Sequence, residues 1–195
     1  MAHPERLEIA ESGAARARAE LGSRIVVLGL SGSGKTTLAA ALGRALDAPH
    51  IELDALHWEP NWTETPTATL RERVAAATAS DAWVVDGNYS RIRDLVWPRA
   101  TAIVWLDYPL WFVMARLFRR TLWRSVAGVE LWSGNRERFW PQFFSRDSLF
   151  LWILQQYPKH QREYPLIPTL SEVAHARFIR LHSARATARW LATLR

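Results

Sequence analysis

The chain of 195 residues contains no cysteine. That excludes disulfide staples and thiolate-bound metal, and it fits a reducing compartment. Lysine is nearly missing too. Only Lys35 and Lys159 occur, so 23 of the 25 basic side chains are arginine. The apolar runs "LWFVMA" and "LFLWIL" are far shorter than a membrane span needs. The stretch "MAHPERLEIAESGAARARAE" lacks the apolar core of a secretory signal. The six histidines show no metal-ligand spacing. The expectation is a soluble cytoplasmic protein without a structural metal.

What is present suits one substantial core. The composition is 49% hydrophobic and 23% charged, which reads as globular. The 11 tryptophans are spread along the chain and suit core packing, while Trp58 and Trp62 are also placed to stack on a planar or sugar ligand. The formal charge of +6 and pI near 10.4 come almost wholly from arginine. Arginine meets phosphate through planar, bidentate contacts, so an anionic ligand is one reading. Base composition of the genome is the other.

Residues 1–22 read as an Ala/Arg/Glu-rich helical extension before a single domain over 23–195. Strand-like apolar runs then alternate with helical patterns: strands over 24–29, 50–54, 82–87, 101–108 and 176–183, helices over 36–46, 65–79, 110–126 and 184–194. Such alternation predicts an α/β fold with a parallel sheet covered on both faces. The stretch 127–145 has no clean period and reads as an ordered loop or a flap.

Gly29-Leu30-Ser31-Gly32-Ser33-Gly34-Lys35-Thr36, followed by Thr37, matches G-x-x-x-x-G-K-[ST] between a strand and a helix. Gly32 and Gly34 admit backbone angles that a Cβ would strain, which lets successive N–H groups converge on an anion. The helix that follows adds its positive end. Lys35 is suited to the β- and γ-phosphates of ATP, and the Thr36 hydroxyl to Mg²⁺. A GTPase would need Asn-Lys-x-Asp and a transporter ATPase an LSGGQ-type signature. Neither is present, which leaves the small-kinase branch.

Three later segments supply candidate partners. In "IELDALHWEPNW", Asp54 is positioned to hold an acceptor hydroxyl or take its proton, with His57 and Asn61 nearby; a plain strand-end turn is the alternative. In "WVVDGNYSRIRD", Asp86 ends an apolar strand as a second Mg²⁺ carboxylate would, with Gly87 allowing a close turn and Arg91 or Arg93 facing phosphate. Arg116, Arg120 and Arg124 share one helical face, with Arg119 beside them, and Arg136 and Arg138 follow. These arginines suit a lid over about 116–145 that neutralises a transferring phosphoryl group and excludes water. A solvated basic face, or a helix facing a membrane or nucleic acid, is the alternative.

The phosphate loop and these segments resemble the adenylate-kinase-like branch of the phosphate-loop kinases. "LDALHWEPNW", "WVVDGNYSRIRDLVWPRA", "WLDYP" and "ELWSGNRER" are similar to the bacterial DNA topology modulation group, over roughly 24–190. The resemblance implies a three-layer fold around five parallel strands, ATP with Mg²⁺, an acceptor segment after the second strand, a lid, and adenine near His182 to Arg185. There are departures. Adenylate kinases follow their Asp-Gly with an aromatic, Pro and Arg. Here Asn88-Tyr89-Ser90-Arg91 follows, and no Arg comes soon after the second strand. The order Asp54-x-x-His57-x-x-x-Asn61 instead resembles gluconate and shikimate kinase-type acceptor segments.

The expected function is phosphoryl transfer from ATP to a small molecule. Lys35, Asp54, Asp86, Arg116, Arg120, Arg124 and Arg136 are the catalytic candidates. A nucleotide-dependent regulator bound to nucleic acid is the alternative, although no DNA-binding motif is present.

Overall fold

The computed structural model describes residues 14–127, 130–135 and 148–194. A helix over 14–21 (α1) leads into strand β1, Arg24–Leu28. Helix α2, Lys35–Leu46, follows the glycine-rich loop, and strand β2, His50–Glu52, comes next. A short helix α3, Leu53–His57, then gives way to a hairpin of strands β3, Trp58–Glu59, and β4, Thr63–Glu64. Helix α4, Thr67–Ala77, strand β5, Trp83–Asp86, helix α5, Arg93–Val96, and strand β6, Ala102–Leu106, complete the first half. Helices α6, Leu110–Ala127, and α7, Leu149–Glu163, precede strand β7, Arg177–Leu181, and helix α8, Ala184–Ala192.

The main sheet has five parallel strands in the order β2-β5-β1-β6-β7. The central strands are apolar at every position except Asp86 and the first residue of β1, because both their faces are covered. Alternation along β1 divides the core. Ile25 and Val27 join Leu38, Leu42, Val113, Leu117 and Ile153 on one face. Val26 and Leu28 join Leu70, Val74, Val96 and Trp97 on the other. This is the three-layer α/β architecture that the alternation predicts.

Element boundaries agree with the sequence reading to within a few residues, with three instructive differences. The strand expected over 50–54 stops at Glu52, and Leu53 and Asp54 open α3. The helix expected over 65–79 starts only at Thr67, with Pro66 at its N-cap. Helix α7 was not anticipated. Its helical stripe is broken by Pro158 and by exposed Leu151, Trp152 and Leu154, which blur the amphipathic period. Helix α1 is anchored to the core by Leu21, to the chain end by a bond from Arg18 Nη1 to the Leu194 carbonyl at 3.3 Å, and to β7 by Arg177–Glu20 at 2.7 Å.

Candidate active site

The carboxyl end of a parallel sheet is where an open α/β fold leaves a crevice. Here a cleft of about 2070 Å³ opens there. The loop after β1 forms its floor. Gly32 and Gly34 hold φ of +85° and +96°, in the region that disfavours any side chain. A Cβ on Gly32 would lie 3.0 Å from the Val113 carbonyl oxygen and 3.1 Å from Leu117 Cβ, so the loop rests directly on α6. A Cβ on Gly34 would lie 2.9 Å from Arg116 Nη2. Gly29, Ser31, Gly32, Gly34, Lys35, Thr36 and Thr37 all line the cleft. Ser33 differs. It is buried below the floor, its amide bonded to the Leu30 carbonyl at 3.1 Å, and its hydroxyl meets no partner among the described residues.

The carboxylates stand beside this floor. Register pairs Glu52 of β2 with Asp86 of β5. Asp86 is 2% exposed and lies behind the cleft wall. Its Oδ2 is 3.6 Å from His50 Nε2 and has no hydrogen-bond partner among the described residues. Glu52, which sequence reasoning passed over, is the carboxylate that lines the cleft. The Thr36 hydroxyl donates to its Oε1 at 3.4 Å and the Trp132 indole N–H to its Oε2 at 3.0 Å. Burial raises the Glu52 carboxyl above the usual range. The indole bond opposes this, and the nearby Asp86 and Asp54 charges add to the rise. Three crowded carboxylates, an orphaned buried oxygen and a hydroxyl suit a divalent cation. The described residues hold no group of three or more His, Cys, Asp or Glu arranged to bind a metal unaided. A Mg²⁺ ion would need phosphate oxygens to complete its shell, as is common for this ion.

Asp54 sits in the first turn of α3 and faces the cleft. The Tyr89 hydroxyl donates to its Oδ1 at 2.5 Å. Burial, then the Asp54 charge and bond, push the Tyr89 hydroxyl far up, so it stays a neutral donor. His57 is 2% exposed and packed between Trp58 and Tyr89, and burial lowers its basicity. Arg91 Nη2 approaches its Nδ1 at 3.3 Å. A guanidinium only donates, so Nδ1 accepts and Nε2 carries the proton. Arg91 is also paired with Glu64 at 3.1 Å. It thereby ties the segment after β5 to α3 and the β3–β4 hairpin while lining the cleft.

Helix α6 brings Arg116, Arg119, Arg120 and Arg124 to the cleft together, as their spacing implied. Arg136 and Arg138 lie outside the described residues. Helix α7 adds Lys159 and His160, which no motif signalled. His160 stacks on Tyr164 at 4.2 Å, and Asn88 Nδ2 donates to the Tyr164 hydroxyl at 3.0 Å. Burial, helped by Lys159 and Lys35, lowers His160 to about 4. Arg93 joins this wall, with Nη2 3.5 Å from Asn88 Oδ1 and its guanidinium over Trp97.

Residues 130–135 close the far side. Asn135, 4% exposed, accepts from the Trp62 amide at 3.0 Å and donates to the Glu59 carbonyl at 2.9 Å. Ser133 donates to the Trp58 carbonyl at 2.7 Å. This clamps Trp132 onto the β3–β4 hairpin, where Trp58, Trp62 and Trp132 form an edge-to-face row along the cleft. The loop at 182–185 does not line the cleft. His182 Nδ1 turns to Asp107 at 3.2 Å, and Ser183 caps α8.

Sheet order, loop and crevice together define a three-layer α/β fold with a phosphate-loop motif after its first strand. The chain is similar over 90% of its length to a gluconokinase from Sinorhizobium meliloti 1021, with 21% identity, a TM-score of 0.52 and 94% of that chain covered. A shikimate kinase from Bacteroides thetaiotaomicron aligns over 88% of this chain and 96% of its own, at 20% identity and a TM-score of 0.49. At these identities the likeness is one of fold, and the first structure alone carries it. No family model and no curated protein matches the sequence.

Proposed function

We propose that the protein transfers the γ-phosphoryl group of ATP to a hydroxyl of a small-molecule acceptor. The observation that carries this reading is a phosphate-loop cradle and a cleft-facing carboxylate, Asp54, in one crevice. Lys35 and the amides of the loop hold the β- and γ-phosphates, with α2 adding its dipole. Mg²⁺ would be held by Thr36 and the cleft-lining Glu52, with Asp86 behind the wall reaching it through water, and would neutralise the phosphate oxygens. The acceptor oxygen forms a bond to the γ-phosphorus, and the bond from that phosphorus to the β–γ bridging oxygen breaks. ADP leaves with the electron pair, and the hydroxyl proton passes to Asp54. Tyr89 fixes the orientation of that carboxylate through Oδ1. Arg116, Arg120 and Arg124 face the same crevice and offset charge on the transferring group.

The lid over about 116–145 is part of this proposal, with α6 as its arginine-bearing arm. The motifs "DGNY" and "GNRER" resemble those of the DNA topology modulation group. Their chemistry in this reading is that of a phosphotransferase. ADP release in the presence of an acceptor panel tests it. The expected result is acceptor-dependent ADP formation that EDTA abolishes. Asp54→Asn should lower kcat by about 10²- to 10⁴-fold while ATP still binds. Turnover that Asp54→Asn leaves unchanged contradicts the role given to Asp54.

A further inference from the structure

Backbone strain is concentrated in one part of the molecule. Among the described residues other than glycine, only Asp47, Asn61, Trp62 and Ser133 adopt the left-handed region, with φ between +50° and +60°. Three of these four belong to the junction between the 131–135 loop and the β3–β4 hairpin. Such strain persists only where the surroundings dictate it, and it collects at ligand clamps. The surroundings here are well defined. The loop is closed on itself, with the Leu131 N–H bonded to the Asn135 carbonyl at 2.7 Å and the Asn135 N–H to the Trp132 carbonyl at 3.1 Å. The buried Asn135 side chain then ties it to the Trp62 amide and the Glu59 carbonyl, and Ser133 ties it to the Trp58 carbonyl. The group held by this clamp is the indole of Trp132.

That indole N–H donates to Glu52 Oε2 at 3.0 Å. The other carboxylate oxygen, Oε1, accepts from the Thr36 hydroxyl at 3.4 Å. Glu52 therefore bridges the glycine-rich loop and the clamp, with Asp86 beside it in the β2–β5 register. Donors on separate oxygens restrict the carboxylate to one orientation, and each oxygen keeps a further lone pair for a cation or its water. Asp86 Oδ2, buried and without a hydrogen-bond partner among the described residues, is an independent sign that a cation belongs here. Outer hydrogen bonds of this kind orient metal-binding carboxylates, and losing one costs about 10- to 100-fold in metal affinity. We infer that Trp132 is a positioning residue: its indole N–H aims the Glu52 carboxylate at the divalent cation carried by the nucleotide, and Asn135 holds the indole in place. The hairpin and the cation site are thereby joined. The inference rests on the phosphotransfer reading above and deepens it.

Calorimetric titration of ADP, with Mg²⁺ and separately with EDTA, tests it. The wild type should bind ADP more tightly with Mg²⁺ than in EDTA. Trp132→Phe keeps an aromatic ring against Trp62 and deletes the donor. It should weaken MgADP about tenfold and leave ADP in EDTA within about twofold of the wild type. Asn135→Ala keeps the indole but loosens its mounting, and should weaken MgADP about threefold, again only with Mg²⁺. A packing role would lower both affinities alike. Equal losses with and without Mg²⁺ overturn the inference. So does MgADP affinity in Trp132→Phe within about twofold of the wild type, and unchanged MgADP affinity in Asn135→Ala overturns the clamp. If the wild type shows the Mg²⁺ dependence and both variants keep it, only this inference falls. If the wild type binds ADP in neither condition, the phosphotransfer reading falls as well.

Discussion

A single Cα at position 34 joins backbone strain to function. At φ +96° an alanine pays a left-handed penalty of about 1–2 kcal/mol. Its Cβ would also stand 2.9 Å from Arg116 Nη2, the far end of a flexible side chain that can move aside. Gly34→Ala should therefore lower stability by no more than about 2 kcal/mol, yet tilt the loop amides and weaken ATP binding at least tenfold. Thermal unfolding and calorimetric titration separate the two effects; unchanged ATP affinity contradicts the cradle. Residues of this kind were legible in the sequence, since glycine spacing next to Lys35 and Thr36 leaves few alternatives. Glu52 was not legible. It sits two residues before Asp54, and only the β2–β5 register, which places it beside Asp86, selects it over its neighbour.

At the scale of elements, continuous apolar runs made β1, β5 and β6 readable, and a clean 3–4 spacing of Leu110, Val113, Leu117 and Thr121 made α6 readable. Helix α7 lacked that clarity, and the wall it builds went unseen with it. Its His160 offers an independent check. Burial holds His160 at about 4, below its ordinary value of 6.5. Between these pH values the unfolded chain binds a proton that the folded chain does not. Stability from this group is thus complete above pH 6.5 and is lost as pH falls towards 4. His57 shifts in the same direction, so the comparison is made between wild type and His160→Gln. Urea unfolding at pH 7.5 and pH 4.5 should show the wild type losing about 1–2 kcal/mol more than the variant, after allowance for partial exposure. Equal losses would mean that His160 titrates normally.

The whole molecule gathers the glycine-rich loop, the α6 arginines and Asp54 into one crevice at the carboxyl end of a parallel sheet. Two buried clusters hold that sheet, and one of them reaches the loop directly, because Leu117 and Val113 support Gly32 from below. No helix among the described residues is long and apolar enough to cross a membrane. The three-layer architecture followed from strand–helix alternation alone. The ion pairs Arg91–Glu64 and Arg73–Glu59 did not, because they join residues 27 and 14 positions apart that only the fold brings together. All of it depends on the loop over 29–37 binding a polyphosphate. Calorimetric titration of MgATP into wild type and Lys35→Ala, at matched thermal stability, measures that directly. The account predicts a one-to-one isotherm for the wild type and none for the variant. No heat from the wild type, or equal affinity in both, would contradict it.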